Sequence, residues 1–201
     1  MAAGKQLLVV DYQERVVWLD GEITAKTAKI FRAIMTKLNK KRCSPIGIYV
    51  RGPGGNIFAC LEMMDEIDRS SSPVFCVGHG YLRSGSFLLI QAAARRLAVA
   101  KTRFTFHKAG DHSSIYKNVS SVKYTQAYYQ DRLEKLRLID AVQLRWFLKR
   151  SKQAEKLMGS FHKEATIGIK QAQELGVLDN YFKDKEFKKD RRVIKRILRN
   201  G

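Results

Sequence analysis

The sequence is poor in the residues that usually announce a chemistry. It holds three cysteines, three prolines and two tryptophans in 201 residues. Cys43, Cys60 and Cys76 have no paired-ligand spacing, so neither a disulfide framework nor a thiolate metal site is expected. Cys60 and Cys76 fall in apolar runs, where a reduced, buried thiol is the common state. No metal-ligand motif or cofactor-binding fingerprint appears, and the reading carries neither metal nor cofactor. No apolar run approaches the roughly eighteen residues a membrane-spanning helix needs. The start, Met-Ala-Ala-Gly-Lys-Gln, lacks the charged head and apolar middle of a secretory leader. A cytoplasmic protein with no membrane partner is expected.

Acidic residues are also scarce, 19 against 38 basic ones, for a formal net charge of +19. Such an excess fits a basic surface, a nucleic-acid patch or a face for an acidic partner. The cations are spread along the chain without zinc-finger, helix-turn-helix or RNA-recognition signatures, which favours the generally basic surface. The length suits one α/β domain with a real core. That domain is expected over 1–182, followed by a basic helical tail over 183–201 with Val193, Ile194, Ile197 and Leu198 on one side.

What is present is a repeated strand-turn-helix plan. Gln6 to Val10 and Arg15 to Leu19 read as strands, and Thr24 to Leu38 as a helix with an apolar stripe from Ile30 to Leu38. Ile46 to Val50 is a strand that stops at the turn Arg51-Gly-Pro-Gly-Gly55. Behind Asn56, a good N-cap, Ile57, Leu61, Met64 and Ile67 recur at helical spacing. A second unit follows: strand Val74 to Gly78, turn His79 to Arg83, and a helix opened by Ser84 that runs through Ala92. A third strand, Arg103 to Phe106, delivers His107. Lys108 to Lys123 reads as an extended segment, Val122 to Leu157 as one long helix, and Lys163 to Gly176 as a last short strand and helix closed by Gly176.

In parallel α/β sheets ligands gather outside the carboxyl ends of strands, so Gly54, Gly55, Ser84 and His107 should meet at one edge. A hydroxyl, an imidazole and backbone N–H groups are the parts of an acyl-transfer site.

The motifs Gly-Pro-Gly-Gly55, Gly80-Tyr-Leu-Arg-Ser84-Gly-Ser, Phe-Thr-Phe-His107 and Glu174-Leu-Gly-Val-Leu-Asp179, in that order, resemble the proteolytic subunit of the Clp protease. The likeness spans roughly Arg15 to Asp179. It implies an α/β fold of the ClpP/crotonase-like type, with repeated strand-turn-helix units and a protruding long-helix handle. It also implies homo-oligomeric stacked rings around a chamber, unfolded polypeptides as substrates, an ATP-dependent unfoldase as partner, and a Ser-His-acid triad.

Carried onto this chain, the resemblance makes Ser84 the nucleophile, in preference to Ser86, and His107 the general base. Counting back from Asp179, the acid falls on Glu164, with Asp111 as the alternative. Gly54 and Gly85 are expected to donate the oxyanion-binding amides. Arg83 departs from the family, which has a small residue before its serine. Other readings of the same residues are an N-capping serine with an inactive site of the same fold, a crotonase-like binder of acyl-CoA thioesters, and a basic nucleic-acid-binding module.

Overall fold

Along Ile46–Gly55 (β3) every second side chain is buried, the period of a strand with one face on a core. Its neighbour Val16–Ile23 (β2) pairs with it in parallel, and Leu7–Asp11 (β1) pairs antiparallel with β2. The computed structural model describes residues 7–40, 44–108 and 126–183. The expected handle beyond Lys108, with Asp111 and His112, and the tail from residue 184 lie outside them, as does Cys43.

Thr24 caps helix Ala25–Asn39 (α1) through a reciprocal pair of hydrogen bonds with Thr27, and Phe31, Ile34, Met35 and Leu38 form its buried stripe. Ile30 belongs to the exposed side instead. Asn56 caps helix Ile57–Asp68 (α2), its side chain accepting the Ala59 N–H at 3.0 Å. Strand Val74–Arg83 (β4) lies parallel to β3 and leads into helix Gly85–Leu89 (α3), which tightens into a single 3-10 turn, Ile90–Ala92. Strands Arg95–Val99 (β5) and Arg103–Thr105 (β6) come next, then helices Gln126–Leu148 (α4) and Ala154–His162 (α5). Thr166–Ile167 (β7), Ile169–Glu174 (α6) and Asn180–Phe182 (β8) complete the described chain.

The sheet runs in the order β1-β2-β3-β4-β5-β8, with β6 joined to β4 and β7 to β6. β4 therefore forks. Its first half, through Gly78, pairs with β5, and its last residues, Tyr81 to Arg83, pair with β6. This fork brings the end of β4 beside Thr105, two residues before His107.

Five phenylalanines fill the space beneath that junction. Phe87 of α3 lies 5.0 Å from Phe104, 5.1 Å from Phe106 and 4.9 Å from Phe147 of α4, between ring centroids. Phe161 of α5 stands 6.4 Å from Phe106. All four separations fall in the range in which tilted and edge-to-face pairs attract beyond their buried area.

Several sequence expectations are corrected. The glycine-rich segment after Val50 is strand through Gly55, since its glycines let β2 approach closely enough to pair with it. β4 likewise continues through the expected turn 79–83, because β6 supplies it with a new partner. The helix expected to run from Ser84 to Ala92 is α for only one turn. β5, which lies between β4 and β8, and the edge strand β8 are absent from the sequence reading because runs of five and three residues carry little alternation. The single helix expected over 122–157 is two helices, parted where Ser151 Oγ accepts the Gln153 N–H at 3.2 Å and donates to Leu175 O at 2.7 Å.

Gly176 does end α6 as expected. At φ +73° its N–H meets Gln173 O while the next N–H, of Val177, reaches Ala172 O, the double bond pattern of a left-handed helix stop.

β8 is tied to β5 by Arg96, 3% exposed. Its guanidinium donates to Asp179, to Gln91 Oε1 and to the Gly176 carbonyl, and Asp179 N–H returns a bond to Arg96 O at 2.8 Å. Burial alone would raise the Asp179 carboxyl, but hydrogen bonds from Arg96 and the charges of Arg96 and Arg150 outweigh it and hold it below its ordinary value. A depressed carboxyl stabilises the fold at neutral pH, and that contribution is lost as pH falls below the ordinary carboxylate range of about 4. Asp179→Asn should cost about 3 kcal/mol at pH 7. The difference in thermal midpoint from the parent should shrink on acidification, and a gap constant from pH 7 to 3 would contradict this account.

Candidate active site

Ser84 sits where β4 ends and α3 begins, with φ 51° and ψ −128°. A residue with a Cβ avoids that region, at a cost of order 1–3 kcal/mol, and holds it only where its surroundings impose it. The constraints are visible. Ser84 N–H donates to Thr105 O at 3.2 Å across the fork, and Ser84 O accepts from both Phe87 and Leu88 N–H at 3.0 Å. Such a strand-to-helix corner lifts a side chain off the sheet edge, the placement a nucleophilic serine needs.

Gly54 presses on this corner from β3. A Cβ there would stand 2.7 Å from both Ser84 Cβ and Gly85 N, and its φ is +98°, so this position requires glycine on two counts. Its N–H donates to Ser86 Oγ at 3.1 Å, inside the protein, and Ser86 is fully buried. The Gly54 amide, expected to face the reacting oxygen, is thus turned toward α3. The hydroxyl at Ser86, set aside in the sequence reading as a rival nucleophile, is the reason. The Asn56 N–H is bound by Ile23 O at 2.8 Å, and Gly55, between it and Gly54, lines the pocket.

His107 follows Phe106, whose N–H donates to Ala165 O at 3.0 Å. Ser84, His107, Gly54 and Gly55 line one pocket of about 650 Å³. The edge predicted from strand topology exists. Its other walls were not legible in the sequence: Phe58 at the start of α2, and Leu136, Ile139 and Gln143 on α4. The only signal of Leu136 and Ile139 was apolar helical spacing, which reads equally as core, and Phe58 and Gln143 gave none.

Glu164 approaches as well, with its Oε1 3.9 Å from His107 Nε2. That is beyond hydrogen-bond length, and the same oxygen accepts the Lys108 N–H at 3.0 Å. Glu164 itself is strained. It occupies the left-handed stop of α5 at φ 52°, where its N–H meets Phe161 O and the following N–H meets Ser160 O, a position glycine usually fills. Gly85, the first residue of α3, abuts Gly54, and its carbonyl accepts from Cys60 Sγ at 3.1 Å. Burial pushes the Cys60 thiol up to about 12, so it stays protonated and is no rival nucleophile. Among the described residues no cluster of His, Cys, Asp and Glu could hold a metal, and no helix is long and apolar enough to cross a membrane.

The sequence model of the Clp protease family matches residues 5–185. The chain belongs to the Clp protease family. Among similar proteins, ATP-dependent Clp protease proteolytic subunit 1 of Rhodopirellula baltica is 23% identical over 172 residues, covering 84% of this chain and 72% of its own. Proteolytic subunit 2 of Treponema pallidum is 29% identical over 99 residues, 48% of this chain and 50% of its own. Among solved structures, a mutant ClpP1 from Listeria monocytogenes superposes with a TM-score of 0.73 at 18% identity, over 86% of this chain and 93% of that one. At that identity the likeness establishes the fold. The α/β architecture expected from the sequence is thus the ClpP one.

Within this Clp-family fold the Gly54–Ser86 bond joins the glycine-rich end of β3 to α3. Ser86→Ala should leave a buried N–H without its acceptor and lower stability by about 1–3 kcal/mol. Chemical denaturation of the variant checks this, and an unchanged midpoint would mean the turn has another anchor.

Proposed function

We propose that the protein is a serine endopeptidase of the Clp proteolytic-subunit type, cleaving unfolded polypeptides through an acyl-enzyme. The observation that carries this reading is the strained backbone of Ser84, on a pocket wall shared with His107 and the glycine-rich end of β3. Ser84 Oγ attacks the scissile carbonyl while His107 takes its proton, and His107 then passes that proton to the leaving amine. Water, deprotonated by the same imidazole, releases the acyl group and restores the serine. The oxyanion is held by the N–H groups of Gly55 and Gly85, in place of the Gly54 amide that Ser86 occupies. Glu164 supplies a negative charge that stabilises the imidazolium formed in each step.

A second reading has specific support. With Glu164 at 3.9 Å and the Gly54 amide turned inward, the same geometry suits an inactive subunit that builds the assembly without cutting. Fluorophosphonate labelling separates the two. The peptidase reading expects stoichiometric modification at Ser84, abolished in Ser84→Ala, with peptide hydrolysis falling about a thousand-fold or more in Ser84→Ala and in His107→Ala. Glu164→Gln keeps an acceptor for the Lys108 N–H while removing the charge, and should cost far less, about ten-fold in kcat. Absence of label on the assembled protein would leave the inactive-subunit reading standing.

The same family membership supports an oligomeric assembly. Leu138 is 67% exposed and Val142 40% on α4, an apolar surface suited to burial against a second copy of the chain. A homo-oligomeric chamber keeps such a site away from folded proteins, and an ATP-driven unfoldase is the partner it implies. Cytoplasmic residence fits both. Native mass spectrometry should give a mass several times that of one chain, and Leu138→Glu should shift it toward smaller species. A wild-type monomer at micromolar concentration would remove the chamber from the proposal.

A further inference from the structure

Each member of the proposed catalytic pair has a cation beside it in sequence: Arg83 precedes Ser84, and Lys108 follows His107. Both cations line the pocket. Arg83 is exposed and Lys108 partly so, and neither side chain has an ion pair among the described residues. Two carboxylates lie near them. Glu164 accepts the Lys108 backbone N–H through Oε1, and Glu22 lines the pocket and is engaged in an interaction of its own, but neither forms an ion pair with the Arg83 or Lys108 side chain among the described residues. The remaining walls, Phe58, Leu136 and Ile139, are apolar and offer these cations no counter-charge. A guanidinium and an ammonium so placed can each pair with a carboxylate brought in by a bound segment.

We infer that the site selects polypeptide segments carrying a carboxylate next to the bond presented to Ser84, with Arg83 and Lys108 as specificity-determining residues. The inference rests on the peptidase reading for its chemistry, but binding alone can test it. A carboxylate has two sources, an acidic side chain within the segment or the free C-terminus of the peptide, and both offer the same paired oxygens. Arg83 suits either, since its planar fork donates to both oxygens at once. Lys108 adds a point charge without directionality.

The experiment uses the full-length Ser84→Ala protein, which binds without turnover, and isothermal titration calorimetry with matched peptides. One pair differs only in Glu against Gln at a single internal position, the other only in a free against an amidated C-terminus. The acidic member of at least one pair should bind about two- to five-fold more tightly for each cation engaged, the range for partly exposed ion pairs, and the preference should shrink as salt is raised. The pair that shows the preference identifies the source of the carboxylate. Arg83→Met with Lys108→Met should abolish the difference within each peptide pair, and Arg83→Lys should retain part of it. Equal affinities within both pairs, no binding of any peptide, or a preference that survives in the double variant would each overturn the inference. Hydrolysis by the parent protein reads out the peptidase proposal separately. Cleavage without acidic preference sinks the selectivity alone, and acidic preference without cleavage sinks the chemistry alone.

Discussion

The whole arrangement depends on holding one serine in a backbone conformation it would not choose. Ser84 at φ 51° is kept there by a hydrogen bond from its N–H to Thr105, by two helical bonds to its carbonyl, and by the bare Cα of Gly54 against its Cβ. Each constraint comes from a different element. The corner can therefore form only after β3, β4, β6 and α3 have assembled, and local sequence preference opposes it at every stage before that. Strain of this kind is sustained by the stability of the surrounding packing.

That packing is aromatic and lies directly below. Phe87 belongs to the helix that Ser84 opens, Phe106 adjoins His107, and Phe161 lies three residues before Glu164. Phe147 links them to α4, which walls the pocket. Each residue proposed for the chemistry thus has a buried ring close to it in sequence, and the rings touch one another. A shift in one element is passed to the others through incompressible contacts, so the separations at the pocket are set by the core rather than by loops.

How much of this could be read from the sequence varies with how local the cause is. The helix cap at Asn56, the stop at Gly176 and the apolar runs of β2 and β3 depend on a few neighbouring residues, and they were legible. The continuation of β3 through Gly-Pro-Gly-Gly55 was not, because composition marks those residues as a turn while the deciding factor is a partner strand far away in sequence. The fork of β4, and with it the Ser84 to Thr105 bond, is hidden for the same reason. Ser84 and His107 were visible through residue type and order, and Glu164 by counting from a motif. The orientation of the Gly54 amide could not be foreseen, since it turns on a hydroxyl 32 positions away.

Glu164 shows how the two kinds of information combine. Counting places a glutamate where the family pattern asks for an aspartate, a mismatch that weakens the assignment. The backbone supplies an independent consideration: this glutamate occupies a left-handed helix stop that glycine would fill more cheaply, at φ 52°. A residue retained at such a cost is informative only if its side chain does something glycine cannot. Here the carboxylate spans from the end of α5 to the first residue after His107, fixing the Lys108 N–H, so its charge reaches the imidazole even though its oxygen does not bond to it. The longer side chain and the displaced contact belong together. On the peptidase reading proposed above, an acid one methylene longer than aspartate, anchored on the backbone beyond the histidine, acts through its field rather than through a short hydrogen bond, since a Coulomb interaction falls off only slowly with distance over 3.9 Å.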